Sequence, residues 1–77
     1  MSSLAVENPV FLTLDVERET DGRFLAEVPD LPGVLAYGAT EQEAVARVQA
    51  LALRVLADRL ESGEPAPSLL PLDFRAA

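Results

Sequence analysis

The sequence predicts an α+β domain: a three-stranded antiparallel meander, one long helix packed on a sheet face, and a C-terminal edge strand, in the order β-β-β-α-β. Three observations predict it. Two stretches, Val10–Glu19 and Arg23–Val28, alternate apolar and polar residues on either side of an Asp-Gly pair, which signals a hairpin. The stretch "TEQEAVARVQALALRVLADRLESG" opens on a capping box, holds a helical period and closes on glycine, so both ends of a helix are specified. Proline-rich punctuation then sets off a last apolar segment, "LLPLDF". The whole, 1–77, reads as a single domain: 1–9 a loose start, 10–62 the meander and helix, 63–77 the Pro-rich exit and edge segment.

In the first strand Val10, Leu12, Leu14 and Val16 point one way, and Thr13, Asp15 and Glu17 the other. One apolar face at period two means a half-buried strand. Phe11 interrupts the polar face and predicts partial cover there. After "ETDGR", Phe24, Ala26 and Val28 share one face of the second strand, with Arg23, Leu25 and Glu27 on the other. "PDLPG" then stops the ladder, because Pro29 and Pro32 lack an N–H to donate. Leu31 between them either folds back to plug the sheet edge or is presented to a partner. "VLAYG" is a short third strand, with Leu35 and Tyr37 on the face opposite Val34 and Ala36.

The helix is expected from Glu41 to about Ser62. The Thr40 hydroxyl accepts a backbone N–H while Glu43 reaches back to the N–H of Thr40. Glu41 and Glu43 in the first turn, and Arg59 near the end, suit the helix dipole. Ala44, Val45, Val48, Leu51, Ala52, Val55 and Leu56 form one continuous apolar stripe. Leu53 and Leu60 lie off it, seven residues apart, with Leu56 at its border. Either the C-terminal segment covers them, or Leu53, Leu56 and Leu60 form a helix–helix contact in an oligomer. Small domains that lack disulfides or metals often gain core by association. This chain has no Cys and no His, so a homo-oligomer, dimer or higher, is expected. Beyond the helix, "GEPAPS" is an ordinary connection, and Pro71 confines the last segment to a sheet edge.

The formal net charge is −7, from thirteen acids against six basic residues, all of them Arg. Such a surface repels phosphate backbones and suits a basic protein partner; it also simply keeps a small protein soluble. No apolar run approaches the ~20 residues of a membrane span, and no basic stretch followed by an apolar one suggests a signal peptide. A cytoplasmic protein without nucleic-acid or membrane contact is expected.

Enzymatic machinery is thin. Without His, Cys or Lys the commonest bases, nucleophiles and phosphate-binding lysines are missing. Asp15 and Glu17 on one strand face, with Glu27 across the hairpin, are candidate divalent-metal ligands for a nuclease; the plainer reading is a solvated face balanced by Arg18 and Arg23. No enzyme activity, no metal and no cofactor are expected. Glu27, Asp30, Leu31 and Tyr37, in and beside the proline loop, are the candidate partner contacts. Leu31 would be the apolar anchor, and the acids would steer a basic partner.

Taken together, "FLAEVPDLPGVLAYGATEQEAVARVQALALRVLADRLESGEPAP" resembles the HicB-like antitoxin family. The family's parts appear in order: the E-V-P-D-L-P-G loop at Glu27–Gly33, the G-x-T turn at Gly38–Thr40, the E-A-rich helix from Glu43 and Ala44, and the G-x-P-x-P exit at Gly63–Pro67. The match spans about Val10 to Pro67. The resemblance implies a partial RNase H-like fold without the RNase H active site. It also implies neutralisation of a small, basic, mRNA-cleaving toxin of the HicA-like kind. Many family members carry a DNA-binding domain after this module; this sequence ends at Ala77, and no DNA repression is expected of it. The alternative is an oligomeric scaffold or ligand-binding module with no toxin partner.

The capping box gives a direct test. Thr40→Ala should cost about 1 kcal/mol, and Glu43→Ala less, in thermal or denaturant unfolding; variants that melt with the wild type would misplace the helix start.

Overall fold

A computed structural model describes residues 10–63 and 72–76. The elements follow the expected order: β1 (Val10–Arg18), β2 (Phe24–Glu27), β3 (Leu35–Gly38), α1 (Glu41–Ser62) and β4 (Leu72–Ala76). They build one four-stranded sheet in the order β3-β2-β1-β4, with α1 across one face. The first three strands are an antiparallel meander. The sheet as a whole is mixed, because β4 runs parallel to β1. The first nine residues, Glu64–Pro71 and Ala77 lie outside the described residues, and with them the loose start, most of the Pro-rich exit and the prolines at 65, 67 and 71.

β1 is the long strand because it serves two partners end to end. Its first half, Val10 to Leu14, pairs with Leu72 to Ala76. Its second half, Asp15 to Arg18, pairs with Glu27 to Phe24. The β1–β2 hairpin closes through Glu19 N–H on Arg23 C=O at 2.7 Å and Gly22 N–H on Glu19 C=O at 3.0 Å, a three-residue loop of the turn-plus-bulge kind.

The "PDLPG" segment is two successive turns. Leu31 N–H donates to Val28 C=O and Val34 N–H to Leu31 C=O, each at 3.0 Å, and Val28 N–H donates to Val34 C=O across the base of the loop. Each proline therefore occupies the second position of a turn, where its fixed φ is already correct. Gly33, at φ 84°, supplies the left-handed residue that the second turn requires. Continuing the β1–β2 register would set Thr13 opposite Pro29. There the Asp30 carboxylate takes over as acceptor, with Thr13 N–H at 2.7 Å from Oδ2.

This loop turns Leu31 inward. Leu31 is 4% exposed and belongs to the core, so it plugs the sheet edge, and the reading of Leu31 as a presented anchor is corrected. Burial of its side chain in the core cluster removes more apolar area from water than a loop-tip position would. The rest of the core is Leu12, Leu14, Ala26, Val28, Val34, Ala44, Val48, Ala52 and Leu56. No polar or charged residue is buried with them among the described residues.

The helix starts and stops where its sequence says. Glu43 N–H donates to the Thr40 hydroxyl at 3.1 Å, and Gly63 caps the end by donating to the carbonyls of Arg59 and Leu60. One detail differs: the Glu43 carboxylate accepts from Ala39 N–H, at 2.9 Å, one residue before the cap. The connection from β3 is only Ala39 and Thr40, so the N–H released where the strand ends is the nearer donor. Buried helix positions recur every fourth residue, at Ala44, Val48, Ala52 and Leu56. Leu56 is 0% exposed, which corrects its assignment to an oligomer interface; the core already holds it. Leu53 and Leu60 are 46% and 53% exposed.

The helix start is pressed onto the end of β3. A Cβ on Gly38 would collide with the backbone nitrogen of Ala44 and lie 2.9 Å from its Cα. Arg47 Nη1 donates to Tyr37 C=O at 2.9 Å and pairs with Glu43 one turn earlier at 3.3 Å. A residue with a side chain at position 38 must push the helix away. Gly38→Ala should destabilise the fold on the order of 2 kcal/mol, read as a lower midpoint in urea with an unchanged m-value. Wild-type stability in that variant would refute the contact.

Candidate functional site

Because α1 covers one face of the sheet, the other face carries whatever side chains the strands alternate outward. The registers set them in rows: Glu17, Leu25 and Tyr37 in one, and Asp15, Glu27 and Leu35 in the next. Phe11, Leu35 and Tyr37 are all exposed. This face therefore mixes three carboxylates with four apolar side chains, which is unusual for the solvent side of a sheet. Asp15, Glu17, Leu25 and Glu27, with Val16, line a concavity of ≈ 230 Å³.

Two arginines lie over the aromatic rings. The Arg23 guanidinium stands 4.3 Å from the centre of the Tyr37 ring, and that of Arg75 stands 3.6 Å from the centre of the Phe11 ring. Both distances fit cation–π stacking. Arg23 is also held from the hairpin loop: its Nε donates to Asp21 Oδ2 at 2.8 Å and its backbone N–H to Asp21 Oδ1 at 3.0 Å. These bonds hold the Asp21 carboxyl below its ordinary value of 3.8, the backbone bond from Arg23 first and its side chain second. The loop thus orients one cation onto the aromatic end of an otherwise acidic face.

Of the residues singled out in the sequence, Glu27 and Tyr37 come together on this open face. Asp30 is exposed at its end, where it accepts from β1. Leu31 is on the opposite side, in the core. Leu25, Leu35 and Arg23 were not singled out. Their signal was present in the alternation of β2 and β3, which puts Leu35 and Tyr37 on one side, but alternation alone does not say which side the helix leaves bare. Asp15, Glu17 and Glu27 share the concavity, yet among the described residues no group of three His, Cys, Asp or Glu is arranged to hold a metal ion. No buried side-chain nitrogen or oxygen lacks a partner among the described residues. No helix among them is long and apolar enough to cross a membrane.

By fold, then, the chain is an α+β domain with one helix-covered sheet face and one open, acidic and partly apolar face. Compared with family models, with curated proteins and with solved structures, it gives no match.

The Asp21 contacts predict a specific acid response. A carboxyl whose folded-state pKa is depressed contributes stability above its unfolded pKa and loses it as pH falls through the folded value. Acidification through that lowered value, beneath the ordinary 3.8, should therefore release the Arg23 side chain from the loop. The probe is Tyr37 fluorescence and ring chemical shift in an acid titration, with Asp21→Asn as control. A Tyr37 transition unaltered in that variant would refute the link.

Proposed function

We propose that this chain is a non-enzymatic, antitoxin-like binding protein of the HicB type, which neutralises a small, basic, mRNA-cleaving toxin by protein–protein contact. The observation that carries the reading is the open sheet face, where Asp15, Glu17 and Glu27 stand beside Leu25, Leu35 and Tyr37. The ordered loop, turn, helix and exit motifs, which resemble that family, support it. So does a formal charge of −7.

The physics of such a face divides the work. The carboxylates raise the encounter rate with a basic partner and reject acidic ones. The apolar side chains supply area that is removed from water on docking. A toxin that cleaves RNA carries the positive surface its substrate requires. A face that binds the same surface blocks the substrate by occupancy, with no chemistry of its own. Tyr37 is the natural anchor at the centre of the contact, since a ring already flattened by Arg23 loses little freedom on binding.

The test is co-expression with a small basic reading frame of about domain size, sought beside this gene, followed by calorimetric titration at low and high salt; the lack of any such frame would count against the proposal. The expected outcome is relief of toxicity and an affinity that falls with salt. Glu17→Arg with Glu27→Arg should weaken binding by roughly tenfold or more, and Tyr37→Ala should weaken it independently of salt, both with unchanged melting. Affinity that ignores all three substitutions would overturn the proposal.

A further inference from the structure

The outward side of α1 carries a second apolar seam that the fold does not use. Ala50, Leu53, Ala57 and Leu60 follow one another at three, four and three residues. At 100° per residue they fall within about 80° of one another on the cylinder. All four are exposed, and the two leucines are the most exposed large apolar side chains among the described residues. The seam contains no charge, and its centre lies about 140° round the helix from the line of Ala44, Val48, Ala52 and Leu56, with Leu56 the buried residue nearest to it. A spacing of three and four is that of helices that pack side by side.

We propose that this seam pairs with the same seam of a second copy, antiparallel, about a two-fold axis at the height of Val55. That register places each leucine against an alanine of the other copy, Leu53 on Ala57 and Leu60 on Ala50, four times over. Large against small is the arrangement that lets two helices interdigitate without voids or clashes. A parallel pair would instead stack leucine on leucine and alanine on alanine.

Charge points the same way. One flank of the seam carries Arg47, Arg54 and Glu61 at seven-residue intervals. An antiparallel two-fold sets like flanks side by side, so Arg47 of each copy falls within two residues, about 3 Å along the axis, of level with Glu61 of the other, a contact it would add to those with Glu43 and Tyr37 in its own chain. Glu61 makes no ion pair within its own chain among the described residues. Arg54 meets its own copy near the axis, a like-charge contact that sets a limit on affinity. A helix pair of this length also falls short of the ~1,200 Å² of a standard interface, so the dimer is a weak one. Both open sheet faces then point outward, away from the seam, and self-association does not depend on the antitoxin reading.

Sedimentation equilibrium of the full chain alone, over a concentration series, is the test. The wild type should show a reversible monomer–dimer equilibrium, lost in Leu53→Glu with Leu60→Glu. Two single substitutions must then move in opposite directions. Arg54→Ala, which removes the like pair, should tighten the dimer by about fivefold; Glu61→Arg should loosen it by about as much. Glu61→Arg also suits the negative end of the helix, so loosening there cannot be a folding defect. A wild type monomeric throughout, a double variant that still dimerises, or the same response from Arg54→Ala and Glu61→Arg would each overturn the proposal.

Discussion

The contact between Gly38 and Ala44 is the constraint on which the rest of this structure depends. Only a residue without a side chain lets the first helical turn rest on the end of β3. That contact shortens the strand-to-helix connection to two residues. It also brings Glu43 to Ala39 N–H and Arg47 to Tyr37 C=O, so the helix start is fixed to the sheet at three points. With its origin fixed, α1 must run over β3 and β2, and every fourth residue meets the sheet. Ala44, Val48, Ala52 and Leu56 fill that line, and the opposite faces of helix and sheet are both left to solvent.

The proline loop does complementary work at the other end of the sheet. Its two turns reverse the chain with prolines where a turn tolerates them, insert Leu31 beneath the edge, and offer the Asp30 carboxylate to the Thr13 N–H of β1 where the β2 ladder has ended. The acid and the leucine, which a reader of the sequence would set side by side as partner contacts, face opposite directions. What the loop gives a partner is indirect: it holds β2 and β3 in register, and so positions Glu27 beside Leu35.

Local chemistry made much of this legible in advance. The helix limits follow from Thr40 and Gly63, whose capping needs nothing beyond neighbouring residues. The meander follows from alternation and a turn. Four features escaped because their cause is not local. The parallel pairing of β4 with β1 joins the two ends of the described chain, and no residue near either end encodes the direction. Leu31 required knowledge of where the double turn aims its middle residue. Leu56 sat at the border of a stripe, where a small rotation of the helix decides between core and surface. Glu43 found Ala39 instead of Thr40 for the same reason: the partner was chosen by how closely the helix follows the strand. The open face was half legible. Its side chains could be sorted from β2 and β3, but the identity of the uncovered side is a property of the packed helix.

The division of β1 between two partners has a consequence for the order in which the molecule assembles. Its second half pairs with a neighbour a short turn away, and the meander and helix that follow are built from contacts close in sequence, which form early. Its first half must wait for a segment at the other end of the chain, whose arrival closes the longest loop in the fold and therefore carries its largest single entropic charge. Until β4 docks, the leading half of β1 presents an unsatisfied strand edge. The Asp30 carboxylate on Thr13 shields the side toward β2, leaving the other side as the place where a nascent chain is most open to pairing with the wrong strand.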